Sequence, residues 1–100
     1  MSYGGRVMLN RKYNITTDSE LLKIGPRIRL LLKLNRMTVQ DFSDEVGVSE
    51  QAAYRWFNGD NIPDIARLID ISKLFMVSLD YLLVDGPVDE KSYEKALGRE

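Results

Sequence analysis

Residues 38–59 read TVQDFSDEVGVSEQAAYRWFNG, and their punctuation predicts two short helices joined by a tight turn. Thr38 is a good N-cap. Asp41, three residues on, sits where the acid of a capping box sits, although Glu or Gln is the usual choice. A first helix is predicted over about 39–46. It ends at Gly47, which takes the left-handed conformation cheaply. Ser49 caps a second helix that runs to about Asn58 and stops at Gly59. Only Gly47, Val48 and Ser49 separate the two, so the helices cross steeply more easily than they lie antiparallel.

The residue types fit such a unit. Phe42, Val46, Val48, Ala53 and Trp56 are its inward positions, and Ser43 is small where the second helix must approach the first. On a helical wheel the second helix divides cleanly. Ala52, Ala53, Trp56 and Phe57 fall on one side, and Glu50, Gln51, Tyr54, Arg55 and Asn58 on the other.

The stretch resembles the helix-turn-helix of phage-repressor-like regulators, the Cro/repressor or XRE type. The resemblance extends from IGPRIRLLLKLNRMT to IPDIARLIDISKLFMVSLDYLL and covers roughly residues 22–84. Its specificity lies in the combination of Thr38, Gly47-Val48-Ser49, Trp56, Gly59, Pro63 and the run from Val77 to Leu83. It implies an all-α fold, a compact five-helix lambda-repressor-like domain at residues 19–84. An N-terminal arm (1–18) and a C-terminal tail (85–100) would flank it.

The resemblance also implies that the second helix of the motif, about residues 50–58, lies in the major groove of double-stranded DNA. By position, Glu50, Gln51 and Arg55 occupy base-reading places. Thr38, Ser49 and Asn58 stand where backbone contacts are usual, with Gln40 as a further phosphate donor. The chemistry agrees. Gln51 can bond adenine bidentately, Arg55 guanine, and Glu50 can accept from cytosine, while Tyr54 can pack on a thymine methyl or bond a phosphate. The competing reading is that these polar groups merely solvate an exposed helix.

Three departures from the family pattern bear on function. The first residue of the motif's first helix is commonly a phosphate-binding Gln. Here it is Val39, with Gln40 one place late and about 100° away. The loop after Gly59 often carries Lys or Arg, whereas this chain has Asp60. An Arg late in helix 1 commonly pairs with a Glu just after the Trp. Those places hold Leu32 and Phe57, so packing is expected to replace an ion pair.

Composition narrows the function classes. One hundred residues suggest one domain with a modest core. There is no cysteine and no histidine, which excludes a disulfide scaffold and removes the usual zinc ligands and catalytic bases. No catalytic residues, metal or cofactor are expected. No apolar run approaches the length of a membrane span and no signal peptide is visible, so a cytoplasmic protein is expected; the resemblance implies one that is bacterial or phage-encoded and associated with the nucleoid. The formal net charge is −1, weak for a nucleic-acid binder. Its distribution is uneven, however. Residues 1–36 hold more than half of the Lys and Arg, and only Asp18 and Glu20 among acids.

The flanking segments are less specific. In the arm, Arg6, Arg11 and Lys12 could reach DNA. A leader, or a short strand docked on the body, is the plainer reading. Ile24, Ile28, Leu31 and Leu32 form the buried stripe of helix 1, which starts either near Gly25 or at Ser19 with a disturbance at Pro26. Arg29, Lys33 and Arg36 share the opposite face, most simply as a solvated stripe. Pro63 suits the first turn of helix 4, whose Leu68, Ile71, Ser72 and Phe75 face the core. Met76 stands where the family often has Gly or Asn. A left-handed Met costs roughly 1–2 kcal/mol, so a different turn is expected there. Ser78 caps a short helix over 79–83, and Leu79, Leu82 or Leu83 could meet a second subunit. Gly86-Pro87 closes the compact body. Residues 89–97 form either a frayed helix or a solvated tail.

Together these features predict a sequence-specific DNA-binding regulator, a homodimer on a palindromic site, with a regulatory protein partner as one route of control. The alternative on the same fold is an antirepressor-like or antitoxin-like protein-interaction module, favoured by the acidic balance, Val39 and Asp60. No acid/base pair or phosphate-cradling loop stands at an enzyme-like spacing.

Overall fold

The apolar stripe of the first helix forms one wall of a core that the following helices complete. A computed structural model describes residues 18–83 and 86–98, with side chains from Leu21 onward, and among these every regular element is helical. They are α1 (Asp18–Leu34), α2 (Val39–Val46), α3 (Glu50–Phe57), α4 (Ile65–Phe75), α5 (Leu79–Leu83) and α6 (Glu90–Ala96). The all-α class therefore holds, with a sixth helix added to the expected five. The arm residues Arg6, Arg11 and Lys12 lie outside the described residues.

The core is continuous. Ile28, Leu31, Phe42, Ile71 and Leu82 are fully buried at its centre. Phe42 is its hub, with ring centroids of Trp56, Phe57 and Phe75 at 6.2, 6.2 and 6.4 Å. The Trp56 ring meets it edge-on, a favoured aromatic arrangement. Leu32 and Phe57, the places where an ion pair was replaced, are both buried members of this cluster.

Pro26 does not interrupt α1, which runs through it from Asp18 to Leu34. Pro26 lies on the exposed side of the helix, where the carbonyl it leaves without an amide donor can be hydrated. Its neighbour Gly25 fixes the position of α3. A Cβ on Gly25 would lie 1.7 Å from the Trp56 carbonyl oxygen and 3.2 Å from the Phe57 Cα. The backbones of α1 and α3 touch here, which only glycine permits.

Helix 4 starts later than Pro63 suggests. Asp64 is its N-cap, with its carboxylate accepting from the Arg67 amide at 2.9 Å, and buried Pro63 precedes the cap. A side-chain acceptor for the free amides outweighed the proline signal. The expectation for Met76 is also overturned. It sits in the left-handed region at φ 59° and ψ 41°. The Val77 amide reaches the Ser72 carbonyl at 3.0 Å and the Met76 amide reaches Lys73 at 3.3 Å, a Schellman closure. Val77 is buried and Met76 is 80% exposed, so burial of Val77 imposes the turn on its neighbour.

The C-terminal segment extends the body beyond Gly86-Pro87. Asp89 caps α6 by accepting from the Ser92 amide at 2.8 Å, and that bond holds its carboxyl below the usual aspartate range. Tyr93 is buried against the Tyr81 ring, at 6.3 Å between centroids, and its hydroxyl accepts from Asn35 Nδ2 at 3.0 Å. Arg27, only 1% exposed, donates to the carbonyls of Tyr81, Leu82 and Gly86 at 2.9, 3.2 and 2.6 Å. A cation thus meets the carbonyl end of α5. Leu82 is fully buried within this one chain, so it is not available to a second subunit, while Leu79 and Leu83 are half-buried against the core.

Candidate nucleic-acid interface

Both helices of the 38–59 unit are closed by the caps their sequence encodes. The Thr38 hydroxyl accepts from the Asp41 amide at 3.0 Å, and the Asp41 carboxylate accepts from the Thr38 amide at 3.4 Å, completing a capping box. Gly47 adopts φ 80°, and the amides of Gly47 and Val48 both reach the Ser43 carbonyl, at 2.8 and 3.0 Å. Buried Ser43 offers no bulk at this crossing. The Ser49 hydroxyl then accepts from the Ala52 amide at 3.0 Å and starts α3.

The inner face of α3 is fully committed. Ala53, Trp56 and Phe57 are buried, and the backbone contact at Gly25 holds the helix against α1. This fixes which side of α3 faces outward. Glu50, Gln51, Tyr54, Arg55 and Asn58 are all exposed, as the wheel predicts. Among the described residues, Glu50, Gln51 and Arg55 have no side-chain hydrogen bond or ion pair. Their donors and acceptors face outward in one row on a rigid support. Tyr54, 42% exposed, rests edge-on against Phe57 with centroids 5.8 Å apart, so its ring direction is set by the core.

The remaining expected contact residues divide. Thr38 and Ser49 are exposed, but their oxygens already serve as caps, which leaves each hydroxyl hydrogen to donate outward. Gln40 is exposed on α2 beside half-buried Val39, so the helix's first residue packs while its second faces solvent. Asp60 is exposed just after α3, its amide bonded to the Arg55 carbonyl at 2.9 Å. Among cations, sequence reasoning undervalued Arg29. Its Cζ lies 5.4 Å from the Phe57 ring centroid, at the flank of α3. The signal was its spacing of one helical turn from Gly25, the contact point with α3.

A cleft of about 320 Å³ opens at the other end of this contact, lined by Leu22, Gly25, Trp56, Gly59, Ile62 and Pro63 among others. It holds no convergent set of catalytic groups. Among the described residues there is no cluster of acids that could hold a metal ion, and no helix is long and apolar enough to cross a membrane.

Residues 28–82 match a family model described as helix-turn-helix, from the middle of α1 through most of α5. The chain is also 37% identical over 62 residues to YqaE of Bacillus subtilis (strain 168), named as an uncharacterized HTH-type transcriptional regulator. That match covers 62% of this chain and about half, 53%, of the relative. No solved structure matches the chain.

Proposed function

The chain belongs to the XRE-type helix-turn-helix family, and from that premise we propose that it is a regulator that reads double-stranded DNA sequence with α3 in the major groove. The observation that carries the reading is the outer row of α3. Gln51, Tyr54 and Arg55 are exposed on a helix whose opposite face is locked in the core, and neither Gln51 nor Arg55 has a partner among the described residues. Arg55 presents a planar fork for guanine O6 and N7, Gln51 an amide for adenine N6 and N7, and Glu50 an acceptor for cytosine N4. Tyr54 packs on a thymine methyl or bonds a phosphate. Gln40, Thr38, Ser49 and Asn58 set the register on the sugar-phosphate backbone. One unit of this size reads only a few base pairs, so two copies on a palindrome complete the site.

The second reading, a protein-interaction module, draws on Val39 and Asp60, which remove two phosphate contacts from the same face. Selection of fragments from a random duplex pool, first at low and then at physiological salt, separates the two. Enrichment of a shared, two-fold symmetric sequence is the expected result. Retention of no fragment even at low salt overturns the DNA reading in favour of a protein partner.

A further inference from the structure

The carboxyl end of α3 is a poor place for a DNA strand. Helix carbonyls give it a partial negative charge, and exposed Asp60 follows immediately. One side chain alters that. Arg29 stands on α1 one turn beyond Gly25, on the same face, and so projects along the flank of α3 where the two backbones touch. Its guanidinium lies over Phe57, the last residue of α3, 5.4 Å from the ring centroid, within the range of cation–π attraction. Phe57 in turn carries Tyr54 on its edge. Tyr54, Phe57 and Arg29 thus form a continuous strip from the outer row of α3 to α1. Among the described residues Arg29 has no carboxylate partner and no hydrogen bond, so its planar fork of donors is unused.

Resting on the DNA-binding reading, we propose that Arg29, held on the Phe57 ring, clamps a backbone phosphate of the duplex beside the major groove. A ring holds a cation without neutralising it, whereas a carboxylate at the same place would cancel the charge. Phe57 therefore orients the guanidinium and leaves it available to an anion. The contact is independent of base sequence, and it offsets the phosphate contacts that Val39 and Asp60 remove. Lys33, a further turn along α1, continues the basic stripe.

The test measures binding of the full chain to a selected duplex and to a scrambled one across a salt series. Arg29→Gln is expected to weaken both by the same factor, on the order of tenfold near 0.1 M salt, and to make the log K against log salt slope shallower by about 0.9. Arg29→Lys is expected to restore the slope. Lys95→Gln, the same charge change on α6, is expected to leave it unaltered. A wild-type slope in Arg29→Gln, or an equal change in Lys95→Gln, overturns the clamp. The ring's part is read from a double-mutant cycle. Phe57→Leu is expected to weaken binding more in the wild-type background than in Arg29→Gln, the loss common to both backgrounds coming from Tyr54, which rests on the same ring, with thermal unfolding confirming that both variants fold. Additive losses overturn the platform. If the wild-type chain binds no duplex at low salt, the DNA reading fails with it, an outcome distinct from a bound wild type with an indifferent Arg29.

Discussion

Two parts of this chain make the same turn for different ends. In the first, α2 passes through Gly47, Val48 and Ser49 into α3. In the second, α4 passes through Met76, Val77 and Ser78 into α5. Each has a left-handed residue, a Val whose amide closes on a Ser carbonyl at 3.0 Å, and a Ser whose hydroxyl caps the next helix at 3.0 Å. The backbones match, but the second helices do not. After Gly47, α3 keeps a polar row outside and three residues inside. After Met76, α5 buries Tyr81 and Leu82, and Arg27 takes its terminal carbonyls. One turn presents a helix to the outside and the other folds a helix away. The turn fixes the crossing of two helices, while the side chains that follow decide whether the second helix binds or packs.

The strongest way to break the comparison is to remove what anchors α3. Trp56→Ala is expected to destabilise the domain by about 3–5 kcal/mol, because a large buried aromatic is lost beside Phe42. Chemical denaturation measures this. If the loss is below about 1 kcal/mol, α3 is not braced by the indole.

Gly25→Ala acts on the same anchor from the other side. The added Cβ would collide with the Trp56 carbonyl, backbone against backbone, so α1 and α3 must separate. A destabilisation of about 1–3 kcal/mol or more is expected from such overpacking. A stabilised Gly25→Ala variant, the usual outcome for Gly in an exposed helix, would show that the two helices do not meet there.

Arg55→Ala sharpens the contrast between the faces of α3. It should leave the thermal midpoint near wild type, since Arg55 is exposed and has no partner among the described residues. It should lose roughly 1–3 kcal/mol of discrimination at one base pair. Unchanged preference across a panel of single-base variants of the selected site would remove Arg55 from the base readers.

The two turns supply the smallest and most direct pair. Gly47→Ala meets no atom within 4 Å, so its cost is conformational alone, roughly 1–2 kcal/mol for a left-handed non-glycine. Met76→Gly removes a similar strain and is expected to stabilise by about 1 kcal/mol or less, the added freedom of the unfolded glycine offsetting part of the gain. Opposite signs in urea midpoints support a shared backbone turn. A destabilised Met76→Gly would mean that the methionine side chain contributes contacts that its exposure conceals.

The local pattern carried far in this chain because helix ends are local chemistry. Thr38, Asp41, Gly47, Ser49 and Ser78 act on amides and carbonyls within a few residues of themselves, so spacing alone located α2, α3 and α5. Periodicity likewise separated the inner and outer faces of α3. Spacing could not place Arg27, whose partners lie more than fifty residues away, nor choose a docked helix over a solvated tail for α6, which Tyr93, Tyr81 and Asn35 hold together.

By itself, the sequence determined the order of the helices up to α5 and the row of groups that α3 turns outward, since these follow from contacts one to four residues apart, and its family resemblance gave the all-α class. Only the tertiary structure decided that α1 runs unbroken past Pro26, that Met76 accepts a left-handed backbone, that Leu82 is consumed by the core and that Arg29 rests on Phe57. Each depends on where the folded chain puts a residue, exposed for Pro26 and packed against distant neighbours for Leu82, Arg29 and the Val77 that follows Met76, and spacing along the sequence does not fix that position.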